Sequence, residues 1–515
     1  MSTQTAEPEF GKIRGALWPI HNEEMKKFLP MGLIMFFILF IYTLLRDTKD
    51  ALIVTAPGGG AAVIPFLKLG FTMPCSVLFV VLYAKLANVF SREKLFYLLV
   101  GSFLVYFGCF ALFLYPNHES LHPSAETVAA LKLAYPNFQH VFPVWGMWTY
   151  SIFYVCSELW GSVMISLLFW QFANEITRTH EAKRFYSLFG FLANVSLLVS
   201  GFTIRYFSDV RAHLPPEVDA WGYSLNYLMA SVALAGVFIM VIYRWMNTNI
   251  LTDPKYYDAA VDSGKPKKKK PKLSVGESFK YLLNSKYLGL IAILVLSYGV
   301  AINLVEIIWK DLLRQQYPNP NDYNTFMGGF SAATGATTMI LIMLFKGVVR
   351  RFGWFTGAIF TPAMLLVTAG AFFAFMFLKE QLEPVAAMFG MTTLLMAVFI
   401  GAAQNIMSKG TKYSLFDPTK EMAYIPLDEE LKVKGKAAVD VIGGRLGKAT
   451  GGAIAGTMLI ITAATNIMTI APVLAVVIMA VIAIWMFAVV RLNRQYTDLV
   501  EEEETTEEPA IKKAA

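Results

Sequence analysis

The sequence reads as an all-α polytopic membrane protein, with twelve spanning helices in two six-helix halves. Three observations carry this expectation. Of 515 residues, 56% are hydrophobic and only 16% charged, where soluble globular chains carry about 25% charge. Apolar stretches long enough to cross a bilayer, roughly 20 residues each, recur along the whole chain. The basic residues cluster in the short connections between alternate stretches.

Taken in order, the first half supplies spans at about 31–45 (continuing as helix past its charges), 62–90, 95–115, 141–173, 186–207 and 222–246. The second supplies 287–310, 324–349, 353–378, 384–408, 434–464 and 466–491. Lys12, Arg14, Lys26 and Lys27 precede the first span. Arg92 and Lys94, then Arg178, Lys183 and Arg184, then Arg350 and Arg351 occupy alternate later loops. With twelve spans all of these face one side, together with the run Lys265–Lys272, and the positive-inside rule makes that side cytoplasmic. The expected organisation is a half over 1–246, a basic cytoplasmic linker over 247–286, a half over 287–495 and an acidic disordered tail over 496–515. Short parallels between the halves, such as the basic segments that open spans five and eleven, suggest the internal repetition of secondary transporters.

Several function classes fall away. Cys75, Cys109 and Cys156 lie inside apolar runs, which supports neither a disulfide framework nor a zinc site. The six histidines are scattered, so no metal and no cofactor is expected. The Lys-rich linker is short and Pro-broken, and reads as a segment touching anionic lipid rather than nucleic acid. Gly58-Gly-Gly60 lacks the lysine and spacing of a phosphate loop and reads as a hinge or connection. No nucleotide-hydrolysis motif and no evident cleavable signal are present.

Four spans carry ionisable residues. Each such residue costs about 2.5–3.5 kcal/mol on insertion scales and by default marks a functional site. In Arg46-Asp-Thr-Lys-Asp50, Arg46 and Lys49 share a helical face and suit a phosphate, although Arg46 and Asp50 could equally cap a helix end as an ion pair. Glu158 lies midway along span four on a stripe with Ser151, Tyr154, Gly161, Ser162 and Ser166, the pattern of a water-lined cavity, with a structural carboxylate–lysine pair as the alternative. In span seven Asn303, Glu306 and Lys310 follow one face. Glu306 and Lys310 also make an ordinary i,i+4 helix pair. In span eleven Lys434, Arg445 and Lys448 share a face about 21 Å long, enough to follow a polyphosphate inward; snorkelling cations at the helix entry are the competing account.

Leu45-Arg-Asp-Thr-Lys-Asp50 with Val54-Thr-Ala56, Ser157-Glu-Leu-Trp160, Phe169-Trp-Gln-Phe-Ala-Asn174 with Glu181-Ala-Lys-Arg-Phe185, Ile302-Asn-Leu-Val-Glu306, and Ile425-Pro-Leu-Asp-Glu429 with Lys434-Gly-Lys-Ala-Ala438 resemble the ATP/ADP translocase family of plastids and obligate intracellular bacteria. The resemblance spans roughly 20–495 and implies a fold similar to the major facilitator superfamily. It implies exchange of ATP for ADP by a membrane antiporter, with proton-coupled import of several nucleotides as the alternative. It also implies roles in transport for Lys49, Glu158, Glu306 and a span-eleven lysine, for which Lys434, Lys436 and Lys448 all qualify. From these follow a phosphate cradle of Lys49, Arg46, Lys434, Lys436, Arg445 and Lys448, and charge pairing by Glu158, Glu306, Asp50 and Asn303. Met147 and Tyr150 are candidate contacts for the base, with Trp145 beside them. Phosphate is a candidate co-substrate, and the expected form is a monomer in the inner membrane of an intracellular bacterium.

Overall fold

The computed structural model describes residue 14 and residues 18–257, 285–427, 435, 436, 439 and 446–514. Helix follows wherever an apolar run is long enough to hydrogen-bond its own backbone, the only arrangement besides a closed barrel that lipid tolerates. Each of the twelve expected spans overlaps one of the helices found, although several bounds differ by six residues or more. These are α1 Met25–Thr55, α2 Ala61–Val89, α3 Arg92–Leu114, α4 Trp148–Ile176, α5 Thr179–Ser208 and α6 Ala220–Asn249. The second group is α7 Lys286–Gln316, α8 Pro320–Leu344, α9 Val348–Phe377, α10 Thr393–Met422, α11 Gly447–Thr462 and α12 Ile467–Ala514.

Polar caps mark several starts and satisfy amides that a helix end leaves open. Ser91 accepts from Lys94 N at α3, Asp219 from Trp221 N and Gly222 N at α6, Ser285 from Leu288 N at α7, and Asn319 from Asn321 N at α8.

Among the described residues ten helices are long and apolar enough to span, or eleven if a bent pair counts as one. That pair is Lys379–Met388 followed by α10, at 80°. The sequence reads one continuous span from 384. The break instead falls where Gly390 turns left-handed (φ 67°) and Thr392 restarts the helix as its cap. α11 is the short member, because the first part of its expected span, including Lys434 and Arg445, lies outside the described residues. The tail is a second difference: α12 runs on through it to Ala514 where disorder is expected, since Glu, Ala and Lys are good helix formers. The run Lys265–Lys272 lies outside the described residues.

Leu78, Val105, Leu234, Val367 and Val476 point outward, each at least 60% exposed, as a lipid-facing wall requires. The start of α1 and the 90–91, 177–178 and 345–347 turns share one face of the molecule, here the N-face; the 56–60 and 209–219 connections lie on the far face.

Among the described residues, two close backbone seams join α1–α6 to α7–α12 toward the far face. In the first, α5 meets α8 backbone to backbone. A methyl group on Gly201 would sit 2.4 Å from both Gly328 O and Ala332 N, and one on Gly335 would sit 2.6 Å from Asn194 O. In the second, Pro65, Phe66 and Leu69 of α2 pack on Gly452 and Gly456 of α11. Small residues at such crossings permit the close approach on which helix association in lipid depends.

Candidate functional site

The ionisable residues singled out in spans one, four and seven converge. Lys49 Nζ lies 3.0 Å from Glu158 Oε1 and 2.9 Å from Asp50 Oδ1. The other oxygen of Asp50 lies 2.9 Å from Lys310 Nζ, and Lys310 lies 2.9 Å from Glu306 Oε1. The result is a row of alternating charge, Glu158–Lys49–Asp50–Lys310–Glu306, that starts on α4, passes through α1 and ends on α7. Lys49, Asp50 and Lys310 are buried, whereas the Glu158 and Glu306 side chains keep 28% and 30% exposure. The row is therefore sealed in its middle and reachable at its ends. Tyr154, one turn before Glu158, lays its ring 3.9 Å beneath Lys49 Nζ and adds a cation–π contact.

Arg46 points to a neighbouring bridge. Its Nε lies 2.9 Å from Asp47 Oδ1, its terminal nitrogen donates to Ser331 Oγ on α8 at 2.8 Å, and Ser331 donates to Asp47 at 2.5 Å. Asn303 donates to Gly299 O and accepts from Lys68 Nζ of α2 at 3.3 Å. Lys409 of α10 sits 4.8 Å above the Phe330 ring. The helices deviate from regular winding beside these groups. Wider π-helical turns occupy Leu67–Thr72, Gly161–Phe169 and Lys412–Phe416, the first containing Lys68, the second following Glu158 by three residues, and the third following Lys409 by three. Such turns occur frequently at functional sites.

The structure thus brings together Arg46, Lys49, Asp50, Glu158, Asn303 and Glu306. It takes Lys436 elsewhere: that lysine pairs with Glu421, both side chains nearly half exposed, at the N-face end of α10. Lys434 and Arg445 lie outside the described residues, as does the side chain of Lys448. Met147 packs under the Gly59 turn. Tyr150 belongs to an aromatic group with Tyr115, His118 and His122 and lines a cavity of about 670 Å³ on the far face. Burial, with His118 nearby, pushes His122 down to about 4, which keeps the His122 ring neutral.

Sequence reasoning missed Lys68, Lys409, Asp47 and Ser331, and treated Lys310 as only the helix partner of Glu306. Lys68 and Lys409 are cations inside apolar spans and carry the same signal as Lys49. Ser331 and Asp47, 284 residues apart, leave no trace in local spacing.

The far face is closed over the row. Arg314 at the end of α7 donates to Gly59 O at 3.1 Å, and Lys132 donates to Gly58 O at 3.1 Å, so two cations hold the glycine turn. Asn137, Gln139 and His140 donate to the carbonyls of Ile460, Ala463 and Ala464 at the end of α11. Burial lowers the His140 pKa, which leaves the neutral ring donating through Nε2. A hydrogen bond from a charged donor contributes about 1.5–3 kcal/mol. Arg314→Gln should therefore shift the balance toward far-face opening by roughly tenfold. Cysteine placed at Thr55, in a background with the three native cysteines replaced by serine, should label about ten times faster; an unchanged rate refutes the clamp.

The profile described as "TLC ATP/ADP transporter" matches residues 3–496. The chain is 51% identical over 496 residues to "ADP,ATP carrier protein 1" of Chlamydia trachomatis, covering 96% of this chain and 93% of that one. It is 43% identical over 501 residues to the protein of that name in Rickettsia bellii (97% and 99% covered). It is 45% identical over 484 residues to "ADP,ATP carrier protein 2, chloroplastic" of Arabidopsis thaliana (94% and 77% covered). Among solved structures, a bacterial homologue of the iron transporter ferroportin superposes with TM-score 0.54 at 13% identity, covering 92% of this chain and 99% of that one. The nucleoside transporter NupG superposes with TM-score 0.52 at 10% identity (90% and 99% covered). These likenesses show that the chain shares its overall helix arrangement with these transporters.

Proposed function

The chain belongs to the TLC ATP/ADP transporter family, and on that premise we propose that it is a membrane antiporter exchanging ATP for ADP by alternating access. One observation carries the mechanism: a buried row of ion pairs in which Asp50 is shared between Lys49 of its own helix and Lys310 of the other helix group. A nucleotide polyphosphate cannot enter a low-dielectric interior without cations to receive it. The lysines of this row are neutralised by carboxylates while the site is empty. Phosphate oxygens can replace Glu158 and Glu306 at the two accessible ends and make charge-assisted contacts to Lys49 and Lys310. The Asp50–Lys310 link then weakens and the helix groups are released.

In the unloaded carrier the same separation leaves Asp50 and Lys310 short of a partner. Removing one member of a buried pair costs about 3–5 kcal/mol, so the empty protein reorients slowly and exchange outruns leak. The basic loops assign the N-face to the cytoplasm, which makes this conformer closed to the outside. The setting that fits is the inner membrane of an intracellular bacterium drawing on host ATP, the protein working as a monomer with twelve spans. Exchange of ATP for ADP moves about one net charge, worth ~2.3 kcal/mol per 100 mV. An accompanying phosphate is the natural compensating ion.

The test is uptake of labelled ATP by intact cells expressing the chain. Preloading with ADP is expected to stimulate uptake at least tenfold, and proton uncouplers not to reduce it. Uptake that ignores internal ADP and collapses with the uncoupler refutes exchange in favour of proton-coupled import.

A further inference from the structure

Five cations of the described spans face this region, and their neutralisation is unequal. Lys49 and Lys310 each touch two carboxylates, and Arg46 touches Asp47 and Ser331. Lys68 and Lys409 differ. Lys68 has one neutral acceptor, Asn303 Oδ1, and Lys409 has the face of Phe330. Among the described residues neither has a carboxylate oxygen within ion-pair distance, although both lie within electrostatic reach of Glu306 and Lys310. An ammonium carries three donors, so most of the hydrogen-bonding capacity of each is unspent. Holding them in lipid-depth surroundings without a counter-charge is costly, and a structural role gives no return for that cost.

We propose that Lys68 and Lys409 are the primary contacts for the substrate's phosphates, one from each helix group. The lysines and carboxylates of the central row then act as the coupling between the groups. Lys49 and Lys310 must lose a carboxylate before they gain anything from a phosphate, whereas Lys68 and Lys409 exchange only a weak neutral contact. A polyphosphate arriving between them is drawn first to the under-neutralised pair. Its charge then competes with Glu306 for Lys310 and with Glu158 for Lys49. Asn303 positions the Lys68 ammonium, and the π-helical turns around Lys68 and just after Lys409 supply local freedom to follow the ligand. The proposal rests on the ATP/ADP exchange reading and divides its charges into those that bind and those that couple.

The test uses the full chain in intact cells and in membranes. Lys68→Gln and Lys409→Gln are each expected to raise the KM for both ATP and ADP about tenfold, and Lys68→Arg and Lys409→Arg to stay within about threefold of the parent. Lys310→Gln is expected to lower the maximal rate with a smaller change in KM. The second measurement needs no variant. In membranes of the unaltered protein, reductive methylation followed by mass spectrometry should show ATP, and equally inorganic tripolyphosphate, slowing modification of Lys68 and Lys409 at least fivefold. Lys255, exposed in its pair with Glu23, should be indifferent. A KM within twofold of the parent in Gln variants present at normal amounts, or modification of both lysines unaffected by ATP, overturns the proposal. If the unaltered chain exchanges no nucleotide at all, the functional reading fails instead, and the two failures are separable.

Discussion

Asp50→Asn is expected to abolish exchange and to lower stability by about 3 kcal/mol. The carboxylate of Asp50 is 2% exposed and serves two ammonium groups, each 2.9 Å away. Its amide analogue keeps an acceptor oxygen but loses the charge. Removing one partner of a buried pair costs about 3–5 kcal/mol. The lower end applies here because Lys49 retains Glu158 and Lys310 retains Glu306. The loss is selective: the Lys310–Asp50 bond crosses between the helix groups, so the far-face-closed conformer is weakened more than the open one. Asp50→Asn combined with Lys310→Met should be less damaging than the sum of its parts, because contacting charges are not additive. Thermal denaturation in detergent and exchange in proteoliposomes read the two effects. Additive losses, or normal exchange by Asp50→Asn, contradict the coupling role.

Gly201→Val is expected to reduce exchange at least a hundredfold. A Cβ at this position would stand 2.4 Å from Gly328 O and Ala332 N. Both neighbours are backbone and cannot rotate aside, so α5 and α8 must separate by more than an ångström. Overpacking a close contact typically costs about 1–3 kcal/mol, and here the strain falls on the seam that seals one side. Gly101→Val is the matched control, since nothing lies within 4 Å of its Cβ position, and it should transport normally. Equal activity of the two variants at equal membrane abundance refutes the seam as a moving contact.

The charges that define the row were legible in the sequence for a physical reason. Arg46, Lys49, Asp50, Glu158 and Glu306 interrupt apolar helices, and bilayer energetics permits that only where they face protein or water. Their mutual pairing was not legible, because Glu158 and Lys49 are 109 positions apart along the chain and helical periodicity relates only near neighbours. Lys310 illustrates the limit. Its i,i+4 relation to Glu306 was visible and real, yet its bond to Asp50 across the helix groups, on which the proposed coupling rests, was not visible. Lys436 illustrates the converse: a lysine in the motif-bearing segment belongs to an exposed pair with Glu421. The existence and order of the apolar helices were recovered because length and apolarity determine them, while their bounds were less well placed. The break before α10 was missed because it depends on the backbone of a single residue, Gly390.

The end of α11 carries a consequence for solvent. Ile460 O and the carbonyls of Ala463 and Ala464 just past the helix accept side-chain donors from Asn137, Gln139 and His140, 320 residues and more away along the chain. When the two bodies part on that side, those oxygens and their former donors must each find a water molecule, for exposed backbone polar groups do not stay bare. The form open on the far face is therefore the more hydrated of the two. Osmotic stress from excluded solutes, which penalises added hydration, acts on this carrier as a brake applied from one side only.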